Sequence, residues 1–140
     1  MSTSRSVLFV CVSNRGKSVM AQGLSSTLGA GAINASSAGT DAAIGKHVND
    51  LSAQVLAEVG VDIDGHTPRQ LTDDLMRDAD LTVVLGTSAQ VTPPDGAVVE
   101  VWETDEPSVR GIDGIERMRL IRDDIAARIT DLTARLADHA

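Results

Sequence analysis

Residues 7–18, Val7-Leu8-Phe9-Val10-Cys11-Val12-Ser13-Asn14-Arg15-Gly16-Lys17-Ser18, decide how this chain is read. Val7 to Val10 is an unbroken apolar run, which predicts a strand buried on both faces. A polar turn, Ser13-Asn14-Arg15-Gly16, follows Cys11. Then Met20, Leu24 and Leu28 recur at helical spacing. A strand therefore feeds a tight loop, and the loop feeds a helix N-terminus. Such a turn aims backbone N–H groups and the positive end of a helix dipole at one point, which is an anion site. A cysteine at its mouth has a physical reason to be reactive, because a field that holds anions favours thiolate over thiol. The arrangement predicts nucleophilic attack by Cys11 on a bound oxyanion.

Outward from this stretch, strands and helices alternate. The first helix is expected over Ser18–Leu28, ending at Gly29-Ala30-Gly31. A weak strand is expected over Ala32–Ser37, and Ser37-Ala38-Gly39-Thr40 reads as a flexible turn. Asn49 or Asp50 can cap a second helix with a stripe of Leu51, Val55, Leu56 and Val59. Thr72 caps a short helix that has Asp73 and Asp74 in its first turn. Leu81–Leu85 and Ala97–Trp102 are the third and fourth strands. Glu103 to Gly114 is a long polar loop, the kind that is usually functional, and mobility is expected there. A helix starting near Asp113 then runs through Ile115, Met118, Ile121, Ile125, Ile129, Leu132 and Leu136. The pattern predicts a doubly wound α/β domain over residues 1–140, a four-stranded parallel sheet with helices on both faces. Sites in such sheets form outside the strand C-terminal ends, where Cys11, the turn after Ser37 and the loop after Trp102 all fall.

Composition narrows the function. The chain has 140 residues, enough for one core. Its net charge of -8 argues against nucleic acid or an anionic membrane as partner. With one Phe, one Trp and no Tyr, it has few side chains to grip an aromatic substrate. A single cysteine forbids an intramolecular disulfide. No run approaches the ~20 apolar residues of a membrane span, and Met1-Ser2-Thr3-Ser4-Arg5 reads as a polar lead, so a cytoplasmic location is expected. His47, His66 and His139 lack metal-ligand spacing, and no metal is expected. Arg15 reads as a turn residue facing solvent, and Arg117, Arg119, Arg122, Asp123 and Asp124 read as the solvated face of the last helix.

The spacing of Cys11 and Lys17-Ser18 resembles the Cys-x5-Arg-Ser loop of low-molecular-weight protein tyrosine phosphatases and of arsenate reductases built on the same fold. Asn14, Met20-Ala21, Ser37-Ala38-Gly39-Thr40, His66-Thr67-Pro68-Arg69 and Trp102 leading into Asp105-Glu106-Pro107 extend the resemblance along nearly the whole chain. The resemblance implies Cys11 as nucleophile and Ser18 as donor to its thiolate. It implies Asn14 as the residue that shapes the loop, and Asp105 as the general acid. The amides of Val12, Ser13, Asn14, Arg15, Gly16, Lys17 and Ser18 would hold the oxyanion.

Two departures sharpen the implication. Lys17 stands where the family has Arg, so charge survives and the planar two-oxygen fork does not. That is similar to single-cysteine arsenate reductases that pass arsenate to mycothiol. Glu106 separates Asp105 from Pro107, which makes Glu103 the reserve acid. With one cysteine, an external thiol must take the adduct from Cys11. The resemblance implies mycothiol rather than glutathione, as co-substrate and not as bound cofactor. A mycoredoxin or glutaredoxin-like protein would then release arsenite. Arg110 can reach an anion or a thiol, or can form a surface salt bridge.

Three alternatives share parts of this pattern. A phosphomonoester hydrolase would use the same residues. A non-catalytic oxyanion-binding protein would keep only the loop. Gly16-Lys17-Ser18 also matches the tail of a nucleotide P-loop, but position 11 is Cys and Leu85-Gly86 offers no acid for Mg²⁺.

Overall fold

The computed structural model describes residues 4–138. Four strands, β1 (Arg5–Cys11), β2 (Ile33–Gly39), β3 (Leu81–Leu85) and β4 (Val99–Trp102), form one parallel sheet in the order β2-β1-β3-β4. The helices are α1 (Lys17–Leu28), α2 (Asp50–Ala57), α3 (Asp73–Asp78) and α4 (Gly114–Asp138). This is the doubly wound arrangement that the alternation predicts. The sheet order reverses at β1, which places the end of that strand at the crevice where such folds bind ligands.

Val7 to Val10 of β1 form an unbroken apolar run because the strand is covered on both faces. Val7 and Phe9 face one core with Val19, Met20 and Leu24 of α1, Val55 and Leu56 of α2, and Ile121, Ile125 and Ile129 of α4. Leu8 and Val10 face the other, with Met76 of α3, Val84 and Ala89. The two aromatic rings of the described chain, Phe9 and Trp102, meet with centroids 5.9 Å apart. The rest of the core is aliphatic, as the composition requires.

Three expectations need correction. β2 runs through Gly39, so Ser37-Ala38-Gly39 is buried strand and not a flexible turn. Its small side chains suit a place pressed against the Cys11 loop: a Cβ on Gly39 would lie 2.5 Å from the Val12 carbonyl oxygen. In α2, Asn49 does cap, accepting from the Ser52 amide, but Leu51 and Val59 are exposed; the buried stripe is Ser52, Val55 and Leu56. β4 begins at Val99, two residues after the expected Ala97.

The basic face of α4 is also more than solvated surface. Arg119 and Arg122 grip Glu58 beyond α2 at 2.7 and 2.8 Å, and Arg117 pairs with Glu106 at 2.7 Å. These pairs hold Glu58 and Glu106 at pKa values of about 2. The expectation for His139 lies outside the described residues. No described helix is long and apolar enough to cross a membrane.

Candidate active site

The loop between β1 and α1 presents its two backbone faces differently. Every carbonyl from Cys11 to Gly16 is occupied. Cys11, Val12 and Ser13 accept from the amides of Thr40, Asp41 and Ala43, and Arg15 and Gly16 accept from Asn49 and Met20. Asn14 O takes the His66 ring nitrogen at 3.1 Å. Among the described residues, no amide from Val12 to Ser18 donates to a protein acceptor. With the carbonyls turned outward and tied, the amides remain for an anion, at the N-terminal end of α1.

Asn14 is the hub. It is fully buried, and it is the one non-glycine residue with positive φ, 58°, among those described. Asn tolerates that left-handed conformation better than most residues. Both polar ends of its side chain are engaged: Nδ2 donates to Ser18 Oγ at 2.8 Å, and Oδ1 accepts from the Arg69 amide at 2.9 Å. His66 Nε2 lies 3.0 Å from the same Oδ1. Both groups that His66 Nε2 touches are acceptors, so that nitrogen carries the proton. Burial lowers the His66 pKa from its ordinary 6.5, the Asn14 carbonyl partly offsets this, and Arg69 adds to it. The neutral donor form is therefore the one present at neutral pH.

The polarity of this network reaches Cys11. Ser18 Oγ lies 3.0 Å from Cys11 Sγ. Its lone pair already receives the Asn14 amide, which leaves the hydroxyl proton free to point at sulfur. Cys11 is buried and unbridged at the end of β1. Gly39 lies beside it in the parallel ladder and also pairs with Gln70, locking the loop to the Arg69-Gln70 segment.

A match to the low molecular weight phosphotyrosine protein phosphatase model covers residues 6–140. The chain belongs to that family. A glutaredoxin arsenate reductase of Synechocystis sp. is 29% identical over 136 residues, 95% of this chain and 99% of that one. An arsenate reductase of Staphylococcus aureus is 28% identical, with the same coverage. Among solved structures, a thioredoxin-dependent arsenate reductase of Corynebacterium glutamicum superposes with TM-score 0.78 at 29% identity. That match covers 98% of this chain, which spans 64% of the Corynebacterium chain.

Cys11, Asn14 and Ser18 thus lie in one hydrogen-bonded chain. Lys17 extends over the end of β3: its Nζ lies 3.3 Å from where a Cβ on Gly86 would be. Gly86 has a φ of +85°, a backbone conformation that favours glycine there. The Thr104 hydroxyl lies by the same point, buried and without a hydrogen-bond partner among the described residues. Arg15 is not a free turn residue, since its Nε donates to the His47 carbonyl at 2.6 Å.

Asp105 sits apart. Its carboxylate takes both terminal nitrogens of Arg110, at 2.8 and 3.0 Å, and makes no hydrogen bond to residues 11–18 among the described residues. Arg110 holds the Asp105 pKa below the usual carboxylate range. The polar loop carrying it contains a one-turn 3₁₀ helix, Pro107–Arg110, capped by Glu106. The loop is tied to α4 through Arg117 and through the Asp105 amide, which donates to Asp124 at 2.8 Å. The reserve residue, Glu103, is exposed, and its carbonyl accepts from Arg128. Among the described residues no group of His, Cys, Asp and Glu could hold a metal ion.

His66 is the site residue that sequence reasoning missed. Nothing in the spacing links position 66 to position 14. The sole hint was the His66-to-Arg69 segment within the family resemblance. A groove of about 990 Å³ does exist along the β2 edge, lined by Ser37, His66 and Arg69, but by no residue from 11 to 18.

Proposed function

We propose that this chain is an arsenate reductase acting as an arsenate–thiol transferase, with Cys11 as nucleophile. The observation that carries the reading is the Asn14–Ser18–Cys11 chain, which points a hydroxyl proton at sulfur beneath a row of free amides. Cys11 thiolate attacks arsenic held by the amides of residues 12–18. An S–As bond forms and an As–O bond breaks, and the departing oxygen takes a proton from Asp105 and leaves as water. Lys17 and the amides balance the oxyanion charge. Arsenic is still pentavalent at this stage.

An external thiol then attacks arsenic and displaces Cys11 thiolate, which regenerates the enzyme. The single cysteine supports this step, because the chain has no second thiol to resolve the adduct. We take mycothiol as the acceptor, and a mycoredoxin or glutaredoxin-like protein as the reductant that releases arsenite. The relatives' names support arsenate as substrate, and the scarcity of aromatic residues supports a small inorganic oxyanion over a phosphotyrosine. The need for a reduced thiol supports a cytoplasmic location for the reaction.

The test is turnover of arsenate with mycothiol and mycoredoxin, beside hydrolysis of p-nitrophenyl phosphate, each repeated with Cys11→Ser. Turnover of arsenate that depends on Cys11, with negligible hydrolysis, is expected. Replacement of mycothiol by glutathione identifies the acceptor. Efficient hydrolysis without arsenate turnover would make the chain a phosphomonoester hydrolase. Phosphate binding with neither activity would make it an oxyanion-binding protein.

A further inference from the structure

The chemistry above leaves a conflict at Asp105. A general acid must carry a proton, yet this carboxyl is gripped as a carboxylate by a two-pronged guanidinium. Bidentate Arg–carboxylate pairs are among the stronger charge-assisted hydrogen bonds. Of the side chains around Asp105, Arg110 is the one that holds its carboxylate oxygens. Glu106, next in the chain, is engaged by Arg117. Asp124 of α4 receives the Asp105 amide and is paired with Arg128. Both of these acids would favour a protonated Asp105. Arg110 alone contacts the carboxylate oxygens from a cation, and its side chain is 50% exposed on a surface turn.

Arg110 also supplies what the loop lacks. Lys17 is a point charge, and an oxyanion bound by it goes without a planar fork. The Arg15 fork is partly committed, through Nε, to the His47 carbonyl. The guanidinium of Arg110 fits two oxygens of an arsenate or phosphate as well as it fits two oxygens of a carboxylate. It lies within hydrogen-bond distance of the acid, so any oxygen that Asp105 can reach lies close to Arg110 too.

We propose that Arg110 is an exchangeable clamp: it grips the Asp105 carboxylate in the free enzyme, then trades it for oxygens of the entering oxyanion, whose negative charge beside the released carboxylate drives it to take up a solvent proton and deliver it. This rests on Asp105 being the acid of the oxyanion chemistry proposed above. The proton moves from solvent to the Asp105 carboxylate and then to the oxygen leaving arsenic. Arg110 remains protonated throughout.

The test is a double-mutant cycle in the affinity of the full chain for inorganic phosphate, read by calorimetry, with Arg110→Gln, Asp105→Asn and the pair. Arg110→Gln is expected to weaken phosphate binding about tenfold, the loss of one charge-assisted contact. Arg110→Lys should recover part of it. Asp105→Asn is expected to tighten binding several-fold by releasing the clamp, and that gain should vanish in the Arg110→Gln background. Carboxyl ¹³C titration of the phosphate-free protein should show the Asp105 midpoint rising in Arg110→Gln. Unchanged phosphate affinity in Arg110→Gln, or an additive cycle, would overturn the exchange. An unmoved Asp105 titration would overturn the clamp. Thermal melts of each variant separate these outcomes from misfolding. Failure of arsenate turnover in the unaltered enzyme would remove the substrate assignment while leaving the phosphate cycle intact.

Discussion

The Cys11 loop and the Asp105 loop are held by opposite means. The Cys11 loop is anchored at the buried Cys11, Asn14 and Ser18 and tied by neutral hydrogen bonds: six occupied carbonyls, and one asparagine with both polar ends of its side chain engaged. The Asp105 loop is held at the surface by ion pairs, Asp105–Arg110, Glu106–Arg117 and Asp124–Arg128. Neutral bonds inside a protein are insensitive to salt, and they cost heavily when one partner is removed. Exposed ion pairs contribute little each and are screened by salt. The proposed anion cradle is therefore held firmly, and the proposed acid lies on a loop whose ties are easily exchanged.

Substitutions should separate the two regions, and the largest effect is expected at Asn14. Asn14→Ala would remove the donor to Ser18 Oγ and the acceptor of the Arg69 amide, would leave the His66 ring only the main-chain carbonyl of residue 14, and would put alanine at a left-handed φ. A loss of about 3 kcal/mol in urea unfolding, together with loss of phosphate binding, is expected. A loss below about 1 kcal/mol would mean that the cradle does not depend on this hub. Gly39→Ala comes next. Its Cβ would meet the Val12 carbonyl oxygen at 2.5 Å, backbone against side chain, so the loop must shift. A destabilisation of about 1–3 kcal/mol is expected, with weaker phosphate binding.

His66 gives the cradle a pH dependence. Its pKa in the folded state lies below the ordinary 6.5, so the unfolded chain binds the proton more readily. Its contribution to stability is full above pH 6.5 and fades as pH falls through the lower folded value. Unfolding midpoints measured between pH 7.5 and 5 should decline in the unaltered protein, and less steeply in His66→Gln; parallel slopes would dismiss the coupling.

The smallest effect is expected on the charged side of the comparison. Glu106→Gln should cost about 0.5 kcal/mol or less at physiological salt, because both partners are partly exposed, and the cost should shrink further in 1 M salt. A cost that persists in high salt would show that the Asp105 loop is held more like the cradle than the ion pairs imply. Acid should loosen this loop at a different point from the cradle. Glu106 titrates at about 2 instead of 4.5, so its pairing is complete above pH 4.5 and lost as pH falls toward 2.

Much of this was legible in the residues. The apolar run Val7–Val10, the polar turn after Cys11 and the helical spacing from Met20 are local patterns, and local patterns determine β1, the loop and α1. Alternation of strands and helices was enough for the parallel sheet, and the long stripe from Ile115 to Leu136 for α4. Tertiary structure decided the rest, because hydrogen bonds between distant segments leave no periodic trace. His66 and Asn14 lie 52 positions apart, and only the folded chain brings the ring onto the loop. Ser37-Ala38-Gly39 reads as a turn because small residues suit turns; it is strand because it pairs with β1, and at Gly39 the Cys11 loop leaves no space for a Cβ. The state of Asp105 was equally invisible, since pairing with Arg110 depends on a one-turn helix that folds the chain back on itself. Chain order alone determined which chemistry the site could attempt, while three-dimensional packing decided which protons each group carries, because proton affinity depends on what lies within a few ångströms.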